Sequence, residues 1–177
     1  MLIRMREDIA GVLNQLGLTQ VAVEVGVDRG GFARDFLSKW DGDCLYCVDP
    51  WQTDLPGYVD HISWNREPDY HIAVAALAQF CDRVRILRHT SEQAARMIWH
   101  EVDFVYLDAD HSYEAVKLDI QTWWPKVRAG GILAGHDWDE EHPGVEGAVS
   151  EFVRERGLEL WLTTEARYKS WLVRNPQ

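Results

Sequence analysis

Two short segments carry the side chains whose types and spacing could do chemistry. Asp108 and His111 follow the apolar run Val102–Leu107, and His136 and Asp137 follow a second apolar run. If the two runs are neighbouring parallel strands, their carboxyl ends bring Asp108 and Asp137 to one cleft. Two carboxylates there repel each other unless a proton or a cation lies between them. The spacing predicts a divalent cation held by Asp108, His136 and Asp137, with Mg²⁺ favoured by the oxygen ligands and Mn²⁺ compatible with the imidazole.

A glycine turn followed by an acid forms a second candidate site. The strand-like run Val21–Val25 leads into Gly26 and Gly30, and glycines between a strand and a helix let a ligand approach the backbone closely. Three residues separate these glycines, so the tighter G-x-G-x-x-G turn of a dinucleotide site is missing. Asp49 closes the next apolar run, 23 residues after Gly26, where it can accept hydrogen bonds from two ribose hydroxyls. In this order the features favour a nucleoside ligand.

Apolar periods change repeatedly along the chain, which predicts helices and strands in alternation. Helical spacing is found over residues 9–16, 32–40, 68–80, 91–99, 116–123 and 145–153. Strand-like runs are found at residues 21–25, 45–48, 84–87, 102–107, 132–134, 158–162 and 171–174. Gly17 and Gly157 stand where helices should end, Ser91 where a helix should be capped, and Pro125 where a helix must stop.

Near-continuous apolar strands separated by helices predict an α/β fold, a doubly wound and mostly parallel seven-stranded sheet covered on both faces. The last connection, about eight residues long, is too short for a parallel crossover, so the final strand should be antiparallel. The run Val84–Leu87 alternates more than the others, which places it near an edge of the sheet. Ligands of such sheets lie outside the carboxyl ends of the strands, where both candidate sites fall.

The composition indicates one globular domain over residues 1–177. The chain is 46% hydrophobic and 27% charged, which is ordinary for a soluble protein of this length. Its net charge of −11 argues against a nucleic-acid backbone or an anionic membrane as the partner. The three cysteines suit structural roles, and no leader or membrane-spanning run is visible. We therefore expect a reduced, soluble, cytoplasmic protein.

The motifs resemble those of a known family. Residues 23–26 with Gly30, and Asp49 closing the second strand, are similar to the S-adenosylmethionine (SAM) site of the Rossmann-like methyltransferases. The segments 107–113, 130–131 and 135–138 narrow the resemblance to the small-molecule and sugar O-methyltransferases allied to the macrocin and cephalosporin-pathway enzymes, many of which bind a divalent metal. The resemblance covers residues 21–152 and implies a seven-stranded sheet with a reversed final strand. It departs after the second glycine, where Gly31 replaces the family's Ser or Thr.

The resemblance implies a role for each matching residue. SAM would be bound by Glu24, Gly26, Asp28, Gly30, Asp49, Thr90, Ser91 and Asp108. Within this set the glycines border the methionine part, Asp49 holds the ribose, and the two residues after the third strand lie against the adenine. Asp108 and Asp137 would be metal ligands, and His111 would be the general base that takes the proton of the acceptor hydroxyl.

Structural roles compete with these interpretations. Asp108 and Asp110 could instead cap the helix that begins near Ser112, and His111 could cap the same helix. His136 could also replace His111 as the base.

The acceptor pocket has fewer candidates. Trp51 and Trp138 come shortly after the site acids and could form its aromatic wall. Six other tryptophans fall on predicted core faces, namely Trp40, Trp99, Trp123, Trp124, Trp161 and Trp171. The aperiodic segment 51–69 could be a lid or binding loop, and a second copy in a homo-oligomer could complete the pocket.

The sequence thus predicts transfer of a methyl group from SAM to a hydroxyl of a small molecule, assisted by a divalent metal. A metal-independent methyltransferase, an NAD-linked oxidoreductase and a catalytically silent SAM-binding module remain as alternatives. The glycine spacing and the reversed last strand count against the oxidoreductase. Asp108, His111 and Asp137 in one cleft count against the silent module.

Overall fold

The computed structural model describes residues 3–53 and 65–176, which form one seven-stranded sheet flanked by helices. The strands are β1 (Val21–Val25), β2 (Cys44–Val48), β3 (Val84–Leu87), β4 (Val102–Leu107), β5 (Val127–Trp138), β6 (Leu160–Leu162) and β7 (Lys169–Arg174). The helices are α1 (Ile9–Gln15), α2 (Gly31–Leu37), α3 (Glu67–Leu77), α4 (Ser91–Met97), α5 (Tyr113–Trp123) and α6 (Pro143–Arg156), with 3₁₀ turns at Arg6–Asp8, Ala78–Phe80 and Trp124–Lys126. The predicted alternation of helices and strands is confirmed.

The order of the strands across the sheet is β3-β2-β1-β4-β5-β7-β6. The pairs from β3 to β5 are parallel. β7 is antiparallel to both β5 and β6, as the short final connection predicted. The α/β fold with its reversed last strand is therefore confirmed, and β3 lies at an edge of the sheet as its alternation indicated.

Each face of the sheet has its own apolar core. On one face, Leu13 of α1, Phe36 of α2 and Leu77 of α3 pack into a single cluster. On the other face, α5 and α6 contribute Ile120 and Val149 to a second cluster. β4 lies between the two cores, and all six of its residues are buried. The acids at its carboxyl end are therefore held by the most enclosed strand of the sheet.

The fifth strand is longer than predicted, because it begins at Val127 and passes through the glycine pair that was expected to precede it. Gly130 has φ +79°, and the register against β4 is irregular before Ile132. The backbone of the glycine pair still bonds to Asn175, which donates to Gly131 and accepts from Gly130. The two glycines therefore form an irregularity within the strand instead of a loop before it.

The fourth helix begins and ends differently from the prediction. Its N-cap is Thr90 and not Ser91, because the Thr90 hydroxyl accepts from the Gln93 N–H while the Gln93 side chain accepts from the Thr90 N–H. The helix ends at Met97. Trp99 therefore lies beyond the packed face and is 88% exposed, so its placement in the core was wrong.

No helix within residues 3–53 and 65–176 is both long and apolar enough to cross a bilayer. Part of the expected lid, residues 54–64, lies outside the described residues. Of its described remainder, Glu67 and the residues after it belong to α3.

Candidate active site

Gly26 follows β1 in a left-handed backbone conformation, with φ +89°, that favours glycine. A Cβ atom at this position would lie 1.9 Å from the carbonyl oxygen of Asp108. The loop after β1 therefore runs directly against the end of β4. This contact makes the predicted nucleoside site and the predicted acid cluster neighbours.

The carboxylate of Asp49 holds the same loop from the end of β2. Its Oδ2 accepts hydrogen bonds from the N–H groups of Val27 (3.1 Å) and Asp28 (3.0 Å), and its Oδ1 accepts from the N–H of Trp51 (2.7 Å). Burial raises the pKa of Asp49, although these bonds and Arg66 act to lower it. A carboxylate has about four acceptor positions. Asp49 therefore keeps capacity for a ligand hydroxyl beyond the three bonds to the loop.

Trp51 is part of this loop's support and not the wall of an acceptor pocket. It is 2% exposed, and its Nε1 donates to the carbonyl of Asp28 at 2.7 Å. Its ring packs edge-on against Tyr70. Trp138, the other candidate for the wall, is half-buried and borders a cavity of about 420 Å³.

Two cavities flank the loop after β1. The first, of about 360 Å³, is bordered in part by Gly26, Asp49, Thr90 and Ser91. The second, of about 530 Å³, is bordered in part by Glu24, Gly26, Asp28 and Asp108. Seven of the eight residues predicted to bind the cofactor thus border one or both cavities. The eighth, Gly30, lies at the N-cap of α2 with φ +76°.

Glu24 is a buried acid on the second cavity. It is 1% exposed, and its Oε2 has no hydrogen-bond partner among the described residues. Burial, followed by the carboxylate of Asp108, raises the pKa of Glu24 well above its ordinary value, although Arg6 acts to lower it. A buried acceptor without a donor suits a hydrogen-bonding or cationic group of a bound ligand.

Asp119, on α5, borders the first cavity and was not predicted as a site residue. It accepts a hydrogen bond from the hydroxyl of Ser91, which in turn accepts from Nε1 of Trp123 at 2.8 Å. Burial raises the pKa of Asp119 to about 7, although the Ser91 bond acts to lower it. The sequence contained a signal for this residue, because Asp119 is an acid on the otherwise apolar face of α5 that includes Val116 and Ile120.

Asp108, His111 and Asp137 converge at the ends of β4 and β5, with one potential ligand atom of each within 4.8 Å of the others. His111 Nε2 lies 2.8 Å from Asp137 Oδ2 and 3.9 Å from Asp108 Oδ1. Burial acts to raise the pKa of Asp137, but hydrogen bonds from His111 and His136 hold it well below its ordinary value. Two carboxylates and an imidazole are a donor set that fits a divalent cation.

His136, the third ligand predicted from the sequence, faces both acids from β5. Its Nδ1 lies 3.1 Å from Asp137 Oδ1 and 3.7 Å from Asp108 Oδ1. Its other ring nitrogen, Nε2, lies 3.2 Å from Nη1 of Arg6. Arg6 also approaches Asp108, with Nη2 3.6 Å from Oδ2. No local pattern connects residue 6 with β5, so Arg6 was missed.

The turn between β4 and α5 presents His111 to the cluster. Ser112 caps α5, and Asp110 accepts from the Ser112 N–H at 2.7 Å. Gly144, in the first turn of α6, lies so close that a Cβ atom there would be 2.4 Å from the carbonyl oxygen of His111. Asp110 thus supports the turn through the cap residue Ser112 and is not itself the helix cap that its structural alternative predicted, whereas Asp108 faces the cluster.

Aromatic rings lie beside the cluster. The ring centroid of His142 is 4.7 Å from that of His111, and the ring of Tyr168 lies 6.5 Å from that of His136. Tyr168 has φ +51°, a strained conformation for an aromatic residue. The rings of His142 and Tyr168 thus form an aromatic border of the site, which the sequence did not indicate.

The chain matches the profile of a known family. The profile of a family described as a methyltransferase domain matches residues 23–138, more than half of the chain. This span includes the loop after β1, Asp49, and the ends of β4 and β5. No curated protein matches the chain significantly.

Solved structures share the fold at low sequence identity. An O-methyltransferase from Bacillus cereus, in complex with SAH, is 13% identical with a TM-score of 0.70, over 97% of this chain and 80% of that one. An rRNA methylase from Streptococcus thermophilus is 14% identical with a TM-score of 0.66, over 96% of each chain. An O-methyltransferase family protein from Burkholderia thailandensis is 14% identical with a TM-score of 0.68, over 97% of this chain but 55% of its own length. At such identities the likeness shows the fold alone.

Proposed function

Since the chain belongs to the family of methyltransferase domains whose profile it matches, we propose that it transfers a methyl group from SAM to a hydroxyl of a small molecule, assisted by a divalent cation. The observation that carries this proposal is the cluster of Asp108, His111 and Asp137 beside the loop at Gly26. The cluster supplies two carboxylates and an imidazole at the place toward which the sulfonium methyl of SAM would point.

The two cavities suggest how SAM would lie. The adenosine would occupy the cavity at Thr90 and Ser91, with one ribose hydroxyl on Asp49. The methionine part would extend past Gly26 into the cavity at Glu24, whose unpartnered buried oxygen could accept from the ammonium group. The sulfonium methyl would then point toward the ends of β4 and β5.

His111 is suited to remove the proton of the acceptor hydroxyl. Its Nε2 faces the ionised Asp137, so a neutral ring carries its proton there and has Nδ1 as its basic nitrogen. As the acceptor oxygen bonds to the methyl carbon, the carbon–sulfur bond breaks, and the hydroxyl proton passes to His111. Asp137 then stabilises the imidazolium, as a carboxylate does in a hydrolase triad. The sulfur leaves as neutral SAH.

Asp108, His111 and Asp137 would hold the divalent cation, which when bound lowers the pKa of a hydroxyl that it contacts. Nε2 of His111, the nitrogen that faces both acids, would bind the cation only after its proton moved to Nδ1, and Nδ1 could then no longer act as the base. The ligand and base roles of His111 are therefore separable by experiment.

The acceptor class rests on charge. The chain carries −11 overall, which disfavours an RNA acceptor because phosphate binding depends on clustered Lys and Arg. A small hydroxylated molecule fits this charge better. Localisation in the cytoplasm and assembly into a homo-oligomer remain predictions.

Melting temperatures measured with SAM and with NAD⁺ test the cofactor. A ligand at about 100 times its Kd stabilises the folded state by about 2.7 kcal/mol, which raises the melting temperature by several degrees. We expect this rise with SAM and SAH and none with NAD⁺. A rise with NAD⁺ alone would favour the oxidoreductase alternative.

Turnover of a panel of small hydroxylated acceptors, followed by SAH release, tests the rest of the proposal. Chelation should abolish turnover, and Mg²⁺ or Mn²⁺ should restore it. Full turnover in excess chelator would support the metal-independent alternative. SAM binding with methylation of RNA oligonucleotides alone would overturn the acceptor class.

A further inference from the structure

Arg6 is fixed in place beside the acid cluster. Its backbone N–H donates to Glu165 at 2.8 Å, and its guanidinium lies over the rings of Phe32 (4.7 Å) and Tyr106 (5.6 Å). Only 23% of its side chain is exposed. A charged group this enclosed, on aromatic faces, holds one position.

The contact between Arg6 and His136 determines where His136 carries its proton. A guanidinium has five N–H donors and no acceptor. His136 Nε2, 3.2 Å from Nη1, must therefore be the acceptor. In the neutral ring the proton is then on Nδ1, and this nitrogen faces Asp137 Oδ1 at 3.1 Å, which can accept it.

This assignment removes His136 from the set of cation ligands. The ring has one lone pair, at Nε2, and that lone pair faces Arg6. The nitrogen that faces both acids, Nδ1, carries a proton and cannot bind a cation. For His136 to become a ligand through Nδ1, its proton would have to move to Nε2, where it would meet a donor of Arg6.

We propose that Arg6 is a specificity-determining residue of the cation site, because it withholds His136 and leaves only Asp108, His111 and Asp137 as ligands. Its positive charge, 3.6 Å from Asp108, also competes with a cation for that carboxylate. Both effects weaken the binding of cations that prefer nitrogen ligands, and they leave a weakly held site for an oxygen-preferring cation such as Mg²⁺. This inference rests on the cation site of the proposed function.

Mn²⁺ titration followed by electron paramagnetic resonance tests the proposal without any turnover. Arg6→Met keeps the apolar stem but removes the charge and every donor, so it should bind Mn²⁺ at least tenfold more tightly than the wild type. Arg6→Lys keeps a charge and donors and should stay near the wild-type affinity. Adding His136→Gln to Arg6→Met should remove most of the gain.

Three results would overturn the proposal. Arg6→Met could bind Mn²⁺ no more tightly than the wild type, neither protein could bind it, or the double variant could keep the whole gain. Nitrogen-15 NMR of the wild type checks the premise without a variant, because the His136 proton is expected on Nδ1 and a proton on Nε2 would contradict it. The SAM-induced rise in melting temperature and the release of SAH, measured on the same samples, show separately whether the proposed SAM binding and methyl transfer fail.

Discussion

Asp49 connects the loop after β1 to the proposed ribose site, so its removal should have two effects. Asp49→Ala is expected to weaken SAM binding at least tenfold in calorimetry, because a charge-assisted hydrogen bond to a ribose hydroxyl is worth about 1.5–3 kcal/mol. It should also lower the free energy of unfolding by about 1–3 kcal/mol, because three backbone N–H groups lose their acceptor. The exposed Asp41→Ala is the control. Unchanged affinity would remove Asp49 from the cofactor site.

His111 is the residue on which the proposed proton transfer depends. General-base catalysis is typically worth about 10²–10⁴-fold, so His111→Ala should lower kcat by about that factor while SAM affinity stays near that of the wild type. The pH–rate profile should also lose its acidic limb. The control is His71→Ala, whose imidazole is 70% exposed on α3. A variant that keeps both the rate and the limb would make His136 the next residue to test.

The sequence predicted which site residues lie close together when those residues follow the ends of neighbouring strands. Asp108 and Asp137 meet because β4 and β5 are adjacent and parallel, a neighbour relation that the fold class implies. Arg6 was not predictable, because its contacts depend on how the first 3₁₀ turn lies across the finished sheet. Trp99 shows the opposite error, since helical spacing continued past the true helix end and placed an exposed ring in the core.

At the scale of elements, the close packing of α6 on the turn before α5 should control His111. In Gly144→Ala the new methyl group would lie 2.4 Å from the His111 carbonyl oxygen and 2.6 Å from the Tyr113 nitrogen. We expect α6 to move away from the turn, with kcat and the free energy of unfolding both reduced.

A glycine in open space provides the matched control for that substitution. A methyl group added at Gly11, inside α1, would meet no atom of another described element within 4 Å. Gly11→Ala should therefore raise the free energy of unfolding by about 0.5–1 kcal/mol and leave kcat unchanged. If Gly144→Ala behaves like Gly11→Ala in urea melts and in turnover, the proposed coupling between α6 and His111 is wrong.

The types of the elements were more predictable than their ends. Apolar patterns identified all seven strands. Central strands such as β4 are buried on both faces and leave a continuous apolar run, whereas the edge strand β3 was identified by a more alternating pattern. The extent of β5 was hidden, since Gly130 and Gly131 are typical of a turn and only pairing with Asn175 keeps them in the sheet. The cap of α4 could have been either of two adjacent hydroxyl residues, Thr90 or Ser91. The reciprocal hydrogen bonds with Gln93 make it Thr90.

At the scale of the whole molecule, Asp119 should make stability depend on pH. Its folded-state pKa of about 7 lies above the ordinary value of 3.8. Its contribution is therefore fully present below about pH 4 and is lost as the pH rises through about 7. Asp119→Asn keeps an acceptor for Ser91 but cannot ionise. Urea melts should show that the variant loses about 1–3 kcal/mol less stability than the wild type between pH 4 and pH 7. Parallel curves for the two proteins would contradict this assignment.

The position of β7 also affects how the protein is made. Of the seven strands β7 is synthesised last, yet it lies inside the sheet between β5 and β6. While the nascent chain is still on the ribosome, the edge of β5 around Ile132 and Leu133 is apolar and unpaired, and such edges recruit strands from other chains. Chaperone binding during translation should therefore concentrate on the interval between the emergence of β5 and that of β7.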